Sequence, residues 1–267
     1  MKISTKLRII YAFTAFLSLF MLMWILVLPA TVFLDTEKKD TIWNRIHQKA
    51  GFNILNSSPF MPPRILSKYD RQTLVQFTHQ IPGAVWVACI PLQFHPSIRR
   101  TYLNFHRYVG RLFVTSSFVC MMGAVVIHMK KLSTENFLEG VEIIMLPLPF
   151  LNISVISFWE CMTGAWFIYT VSESISYVRR KEIQNHQIWI VRHVASGLWV
   201  AVQRLLMGPS AFATNKIAAL IGANVTAGYK HRIIFYAPML IGQCVTFGVG
   251  EYAVHLLGKN MKKGKRA

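Results

Sequence analysis

Long apolar stretches alternating with short basic ones are the dominant pattern of the chain. Residues 9–34 carry no charge, and Asp35 ends the run. Five further apolar stretches follow at residues 77–94, 108–129, 150–178, 189–212 and 233–257. A bilayer core about 30 Å thick is crossed by roughly 20 mostly apolar helical residues. Lipid offers a bare backbone no hydrogen-bond partner, so runs of this length are expected as helices. Barrel strands would be about ten residues long and would alternate, which these runs do not. The pattern therefore predicts an all-α, polytopic membrane protein with six transmembrane helices, four of them forming a core.

The same pattern sets the expected organisation. Residues 1–34 form an N-terminal anchor helix, because the apolar run far exceeds the 7–15 residues of a cleaved signal core. Residues 35–76 make an extramembrane loop whose Pro62 and Pro63 exclude regular helix. Within it, Ile42, Trp43, Ile46 and Ala50 fall at helical spacing, an amphipathic stretch suited to a lipid surface. Residues 77–212 are the four-helix core, 213–257 a loop and sixth helix, and 258–267 a basic tail.

Composition supports this class. The chain is 53% hydrophobic and only 15% charged, against about 25% charged in soluble domains. Its net charge of +18 would suggest nucleic acid in a soluble protein. Here the basic residues cluster at span ends: Lys2, Lys6 and Arg8, then Arg99, Arg100 and Arg107. Arg179, Arg180 and Lys181 follow, and then the tail. With six spans these clusters share one face, which short-loop basic residues mark as cytoplasmic. Both termini are thus expected inside, with the lipid bilayer and its anionic headgroups as partners and no nucleic acid. The 35–76 loop carries seven Lys or Arg but also four acids.

Minor signals concern address. Asn56 and Asn224 begin glycosylation sequons in loops expected outside. The tail "KKGKRA" places Lys263 and Lys265 in a dilysine retrieval pattern, or simply in a lipid-binding basic tail. The expected location is an integral membrane one, endoplasmic reticulum or plasma membrane in a eukaryote. The four cysteines all fall inside spans, as expected of small buried apolar residues.

Chemistry is concentrated in two stretches, "NFHRYVGR" and "NHQIWIVRH". They place His106 and His186 at the inner membrane edge, on different helices. Arg111, Arg192 and Glu173 are expected within one or two turns of a common depth. A lone charge there costs roughly 2.5–3.5 kcal/mol, so these groups should pair. The expected arrangement is an inner polar layer in which Glu173 lies between Arg111 and Arg192, ringed by His106, His186 and Gln93. Glu160, deeper in its span, is a candidate proton or cation relay, or a partner for a bundle hydroxyl. Standard nucleotide, zinc-protease and serine-hydrolase motifs are missing from the sequence.

Three elements resemble an uncharacterised family of multispan predicted membrane proteins, a domain of unknown function, over about residues 75–210. One is His79 in "THQIPGAVW"; the second is His106, Arg107, Gly110 and Arg111 in a His-Arg-x-x-Gly-Arg element. The third is His186, Trp189 and Arg192, where Gln187 and Ile190 depart from the usual Arg and Met. The resemblance implies a four-helix core and no particular reaction.

Three functional readings stay open. The polar layer could bind lipid or a small molecule at the inner edge. His106 and His186 could instead be axial ligands of haem b in a transmembrane electron carrier, with Gly110 leaving room for the porphyrin and a weaker outer pair in His79 and His128. A transporter is the third. Whether the protein is an enzyme is not decided by any of these residues.

Overall fold

The computed structural model describes residues 5–26, 68–137, 143–147, 153–220 and 227–264. The loop stretch 41–55, the sequons at Asn56 and Asn224 and the tail residue Lys265 lie outside them. Among the described residues every regular element is helical, apart from a single antiparallel bridge between Met145 and Ser154.

Seven helices carry the fold among the described residues. They are α1 (Thr5–Leu26), α2 (Ile81–Phe94), the short α3 (Pro96–Thr101), α4 (Leu103–Met129), α5 (Val155–Arg179), α6 (Ile183–Leu220) and, packed along α6, α7 (Ala227–Gly264). A π-helical turn, Gln76–Gln80, leads directly into α2. Helix α2 packs on α4 and α1, α4 touches α5, and α5 lies along α6. Helix α1 also reaches α6, so it closes a ring with the four core helices, and α7 flanks that ring.

Among the described residues, three helices are long and apolar enough to cross a membrane: Thr5–Leu26, Leu103–Met129 and Arg232–Lys259. That is fewer than the six spans the apolar runs predict. The shortfall has a physical source. The helical stretch Thr73–Phe94 is divided by the π-turn, which leaves α2 itself 14 residues. Helices α5 and α6 are long, but they spend positions on buried polar groups such as Thr170, Ser174, His193 and Gln203. Helix α6 also runs to Leu220, eight residues past the expected end at 212. Its Pro209 is accommodated within the helix.

The core is built around aromatic rings. Trp86 of α2 stacks on Phe113 of α4, with ring centroids 5.5 Å apart, and meets Phe167 of α5 at the same separation. The imidazole of His193 on α6 lies 4.2 Å from Phe167 and 5.4 Å edge-on from Phe113. All four side chains are buried, His193 completely. Large apolar side chains such as Ile9, Phe105, Met122, Trp159 and Leu240 are turned outward, as lipid-facing positions require.

Close approach makes one glycine obligatory at each of two crossings. A Cβ on Gly197 would lie 2.4 Å from the Trp86 ring. A Cβ on Gly123 would lie 2.5 Å from the backbone of Thr78, where α4 passes the π-turn. Two helices end in Schellman motifs built on lysine. Lys131 and Lys181 take positive φ of 54° and 63° at the C′ position. In the second, Lys181 N–H donates to Val178 and Glu182 N–H to Tyr177, satisfying the last carbonyls of α5.

The cysteines divide. Cys89 is buried, Cys120 half-buried, and Cys161 and Cys244 are exposed, so the expectation of four buried thiols holds fully only for Cys89. The latter pair face away from the bundle, where a small, weakly polar side chain is compatible with lipid.

Candidate functional site

At the end of the bundle that carries Arg99 and Arg179, the ring of helices opens into a cavity of about 1880 Å³. Its walls come from α1, α2, α4, α5, α6 and α7. The floor is apolar, with Leu17, Phe113, Val194 and Leu198 all buried. The mouth is cationic. Arg8 enters from α1, Arg99 from α3, and Arg107 with Arg111 from the first turns of α4. Arg179, Arg180 and Lys181 supply the α5–α6 corner. Among the described residues that line the cavity there is no Asp or Glu.

Local sequence explains these positions. Pro96 starts α3 at a position where its missing N–H is no loss, and Tyr102 breaks the chain direction before α4 begins. Arg107 and Arg111 are four residues apart on α4, hence on one face. The Gln93 amide donates to the His106 carbonyl at 2.9 Å and pins the end of α2 to the first turn of α4. Gln93 also occupies the space beside Gly110, where a Cβ would stand 3.5 Å from its Oε1. That is ordinary contact, and the space expected for a porphyrin beside Gly110 is taken by this amide.

The two histidines at the mouth differ. His186 Nδ1 lies 3.0 Å from the Ser174 carbonyl and 2.8 Å from its hydroxyl. A carbonyl only accepts, so Nδ1 carries the proton and Nε2 is the remaining polar atom of that ring. His106 Nδ1 is buried and has no hydrogen-bond partner. Both histidines line the cavity.

The polar layer thus forms only in part. His106, Arg107, Arg111, His186 and Gln93 share the cavity as expected. Glu173 does not line it and forms no ion pair with Arg111 or Arg192 among the described residues. Arg192 instead pairs with Glu251 of α7, Nε to Oε1 at 2.6 Å and Nη2 to Oε2 at 3.0 Å. The expected three-residue layer is corrected on this point: α7 supplies the acid, because it packs along α6 and presents Glu251 beside Arg192. Glu251 is a lone acid in an apolar run, and that was its signal in the sequence.

The remaining expected residues lie at the opposite end. His79 Nδ1 is 3.0 Å from the Cys120 carbonyl, in the crossing of the π-turn with α4. His128 is 3.4 Å from Glu160, so each of these residues has a partner other than the one sequence reasoning assigned. Trp159 donates to Gln243, and the Ser154 and Ser157 hydroxyls donate to Glu135. The Lys68 ammonium donates to Thr134 Oγ1 at 3.1 Å. Burial lowers its pKa to about 7, with nearby Arg204 acting in the same direction and Glu160 opposing.

His193 separates the two ends and was not singled out from sequence. It lies seven residues, two turns, beyond His186 and so on nearly the same face. It contacts Trp86, Ser117, Phe167 and Thr170, one or more from each of the other three core helices.

No family model, no curated protein and no solved structure matches this chain.

Proposed function

We propose that this is an integral membrane protein that binds an anionic amphiphile, of which lipid is the simplest, in the cavity at its basic end. The observation that carries the reading is the pairing of an apolar floor with a cationic, carboxylate-free mouth in one space. Small-molecule pockets usually run about 300–1,000 Å³, and this cavity is larger, as an occupant with a tail would need. Headgroups near a membrane surface are attracted by about 1 kcal/mol per basic residue, so a converging set is a strong anion trap. The reading includes six crossings of the bilayer, with the basic end and both termini on the cytoplasmic side, and kinship with the uncharacterised multispan family described above. Polar, bundle-facing side chains in α5 and α6 are compatible with spanning helices, because such groups face the interior rather than lipid.

The test is lipid retention. The protein, delipidated and reconstituted into vesicles of phosphatidylcholine with a minority of phosphatidylglycerol, is analysed by native mass spectrometry. Phosphatidylglycerol should be retained over phosphatidylcholine, and the Arg107→Gln, Arg111→Gln double change should remove the selectivity. Lys216→Gln, on the far part of α6, should not. Equal retention of both lipids by the unaltered protein would reject the reading.

A second reading, haem b held by His106 and His186, is favoured by one observation: both imidazoles line a single cavity, and the His186 Nδ1 bond to a backbone carbonyl is the outer contact a metal-binding imidazole uses. A Soret band on reconstitution with haem, lost in both His106→Ala and His186→Ala, would establish it. A transporter shares the same cavity as its inward-facing site, and uptake of an anionic amphiphile into vesicles tests it.

A further inference from the structure

We infer that the head group taken at the basic mouth is a phosphomonoester, the terminal phosphate of a lipid such as phosphatidate, rather than a phosphodiester or a carboxylate. This rests on the amphiphile reading above and narrows it to a chemical class.

Charge is the first argument. Cations converge on the mouth from three sides: Arg8 on α1, Arg107 and Arg111 on α4, and the Arg179–Lys181 corner between α5 and α6. No acid among the described lining residues offsets them. A phosphodiester or carboxylate brings one negative charge, whereas a phosphomonoester brings about 1.5 to 2 at pH 7. The mouth is thus matched to the more highly charged group.

Geometry is the second. Arg107 and Arg111 stand one turn apart on a single helical face, with Cβ atoms about 5–6 Å apart. Two planar guanidinium forks at that spacing can grip different oxygens of one phosphate, a bidentate geometry that lysines do not supply. A monoester presents three free oxygens to such a pair and a diester two. The third oxygen has a ready partner in His106. Its ring lines the same cavity, one residue before Arg107 on α4.

The apolar floor makes the source a lipid. Leu17, Phe113 and Leu198 lie behind the cationic mouth in the same cavity, on α1, α4 and α6. A soluble phosphate ester would leave that surface uncovered.

The experiment compares phosphatidate with phosphatidylglycerol of identical acyl chains, each a minority in phosphatidylcholine nanodiscs, by native mass spectrometry of retained lipid. Phosphatidate should be retained about tenfold over phosphatidylglycerol, a difference of about 1.4 kcal/mol. His106→Gln should lower the phosphatidate preference and leave phosphatidylglycerol retention intact, whereas Arg107→Gln should lower both. Should His106→Gln fail to fold, the unaltered protein still decides. The phosphorus resonance of bound phosphatidate should titrate at a lower pH than that of free phosphatidate, because clustered cations favour the dianion. Equal retention of the two anionic lipids, or an unshifted titration, overturns the phosphomonoester and leaves the amphiphile reading standing. Retention of neither over phosphatidylcholine overturns both. Displacement of phosphatidate by an equal concentration of glycerol 3-phosphate overturns the lipid as the source.

Discussion

Trp86 Nε1 donates to Nε2 of His193 across 3.2 Å, joining α2 to α6 at the centre of the bundle. An indole nitrogen only donates, so His193 Nε2 must be bare and its proton must sit on Nδ1. That proton is directed to the Phe167 carbonyl, 3.1 Å away. The histidine is thereby a neutral connector between helices. Ser117 Oγ stands 3.0 Å from the same Nε2 and can donate if the indole is removed.

The consequence is non-additivity. Trp86→Phe keeps the stacked ring but deletes the donor, and Ser117 can rotate in to replace it. The change should cost about 1 kcal/mol, as a replaced hydrogen bond does. Ser117→Ala alone should be similarly mild. Together they strip Nε2 of both donors, and the double mutant should lose about 1 kcal/mol more than the sum. Thermal unfolding in detergent for the four proteins measures it, and a simple sum would show that Ser117 is not a reserve donor.

The Arg192–Glu251 pair gives a second expectation. Glu251→Gln leaves an unpaired arginine on α6 and should destabilise by up to about 1 kcal/mol, since Glu251 is largely exposed. Glu173→Gln should change little, since no ion pair depends on it. Adding Arg192→Gln to Glu251→Gln should recover part of the loss. The yield of folded, monodisperse protein on size exclusion ranks the variants.

Glycines give a third. Gly197→Ala forces a methyl against the Trp86 ring and should cost about 1–3 kcal/mol, as overpacking does. Gly248 has open space where a Cβ would go. Gly248→Ala should therefore stabilise α7 by about 0.5–1 kcal/mol through helix propensity alone. A proteolysis midpoint in denaturant separates the two signs.

Lys68 gives a pH dependence. Its folded pKa of about 7 lies below the ordinary 10.5, so in between the unfolded chain holds a proton that the folded chain does not. Stability should rise with pH across that window, and the penalty should be complete below about pH 7. Lys68→Gln should flatten the rise in melting temperature between about pH 7 and 9.5. An unchanged slope would mean that Lys68 is not the group responsible.

Some of this was legible in the sequence and some was not, for particular reasons. The stretch 108–129 read directly as a helix, since no proline or cluster of charges interrupts it, and α4 covers it. Helix α6 was read short because the apolar run ends at Phe212, whereas the helix continues through the polar residues Thr214–Lys216. Arg107, Arg111, His106 and His186 were grouped by depth, and all four line the one cavity. Depth says nothing of azimuth, however, and Glu173 does not line the cavity, although its neighbours Ser172 and Ser174 do. Glu251 was missed because partners were sought within the four core helices, and α7 comes to α6 only through tertiary packing. His193 shares a face with His186, so the two-turn spacing would have found it.

The cavity wall includes Arg8 and Leu17 from α1 as well as Gly250 and Leu257 from α7. These residues are separated by most of the chain and are made at very different times during synthesis. Helix α1 must wait while the core assembles beside it, and the pocket lacks a wall until α7 arrives. Occupancy by a tight ligand would then report on assembly: an intermediate halted before α7 displays the basic residues but not the enclosure, and releases what the finished bundle retains.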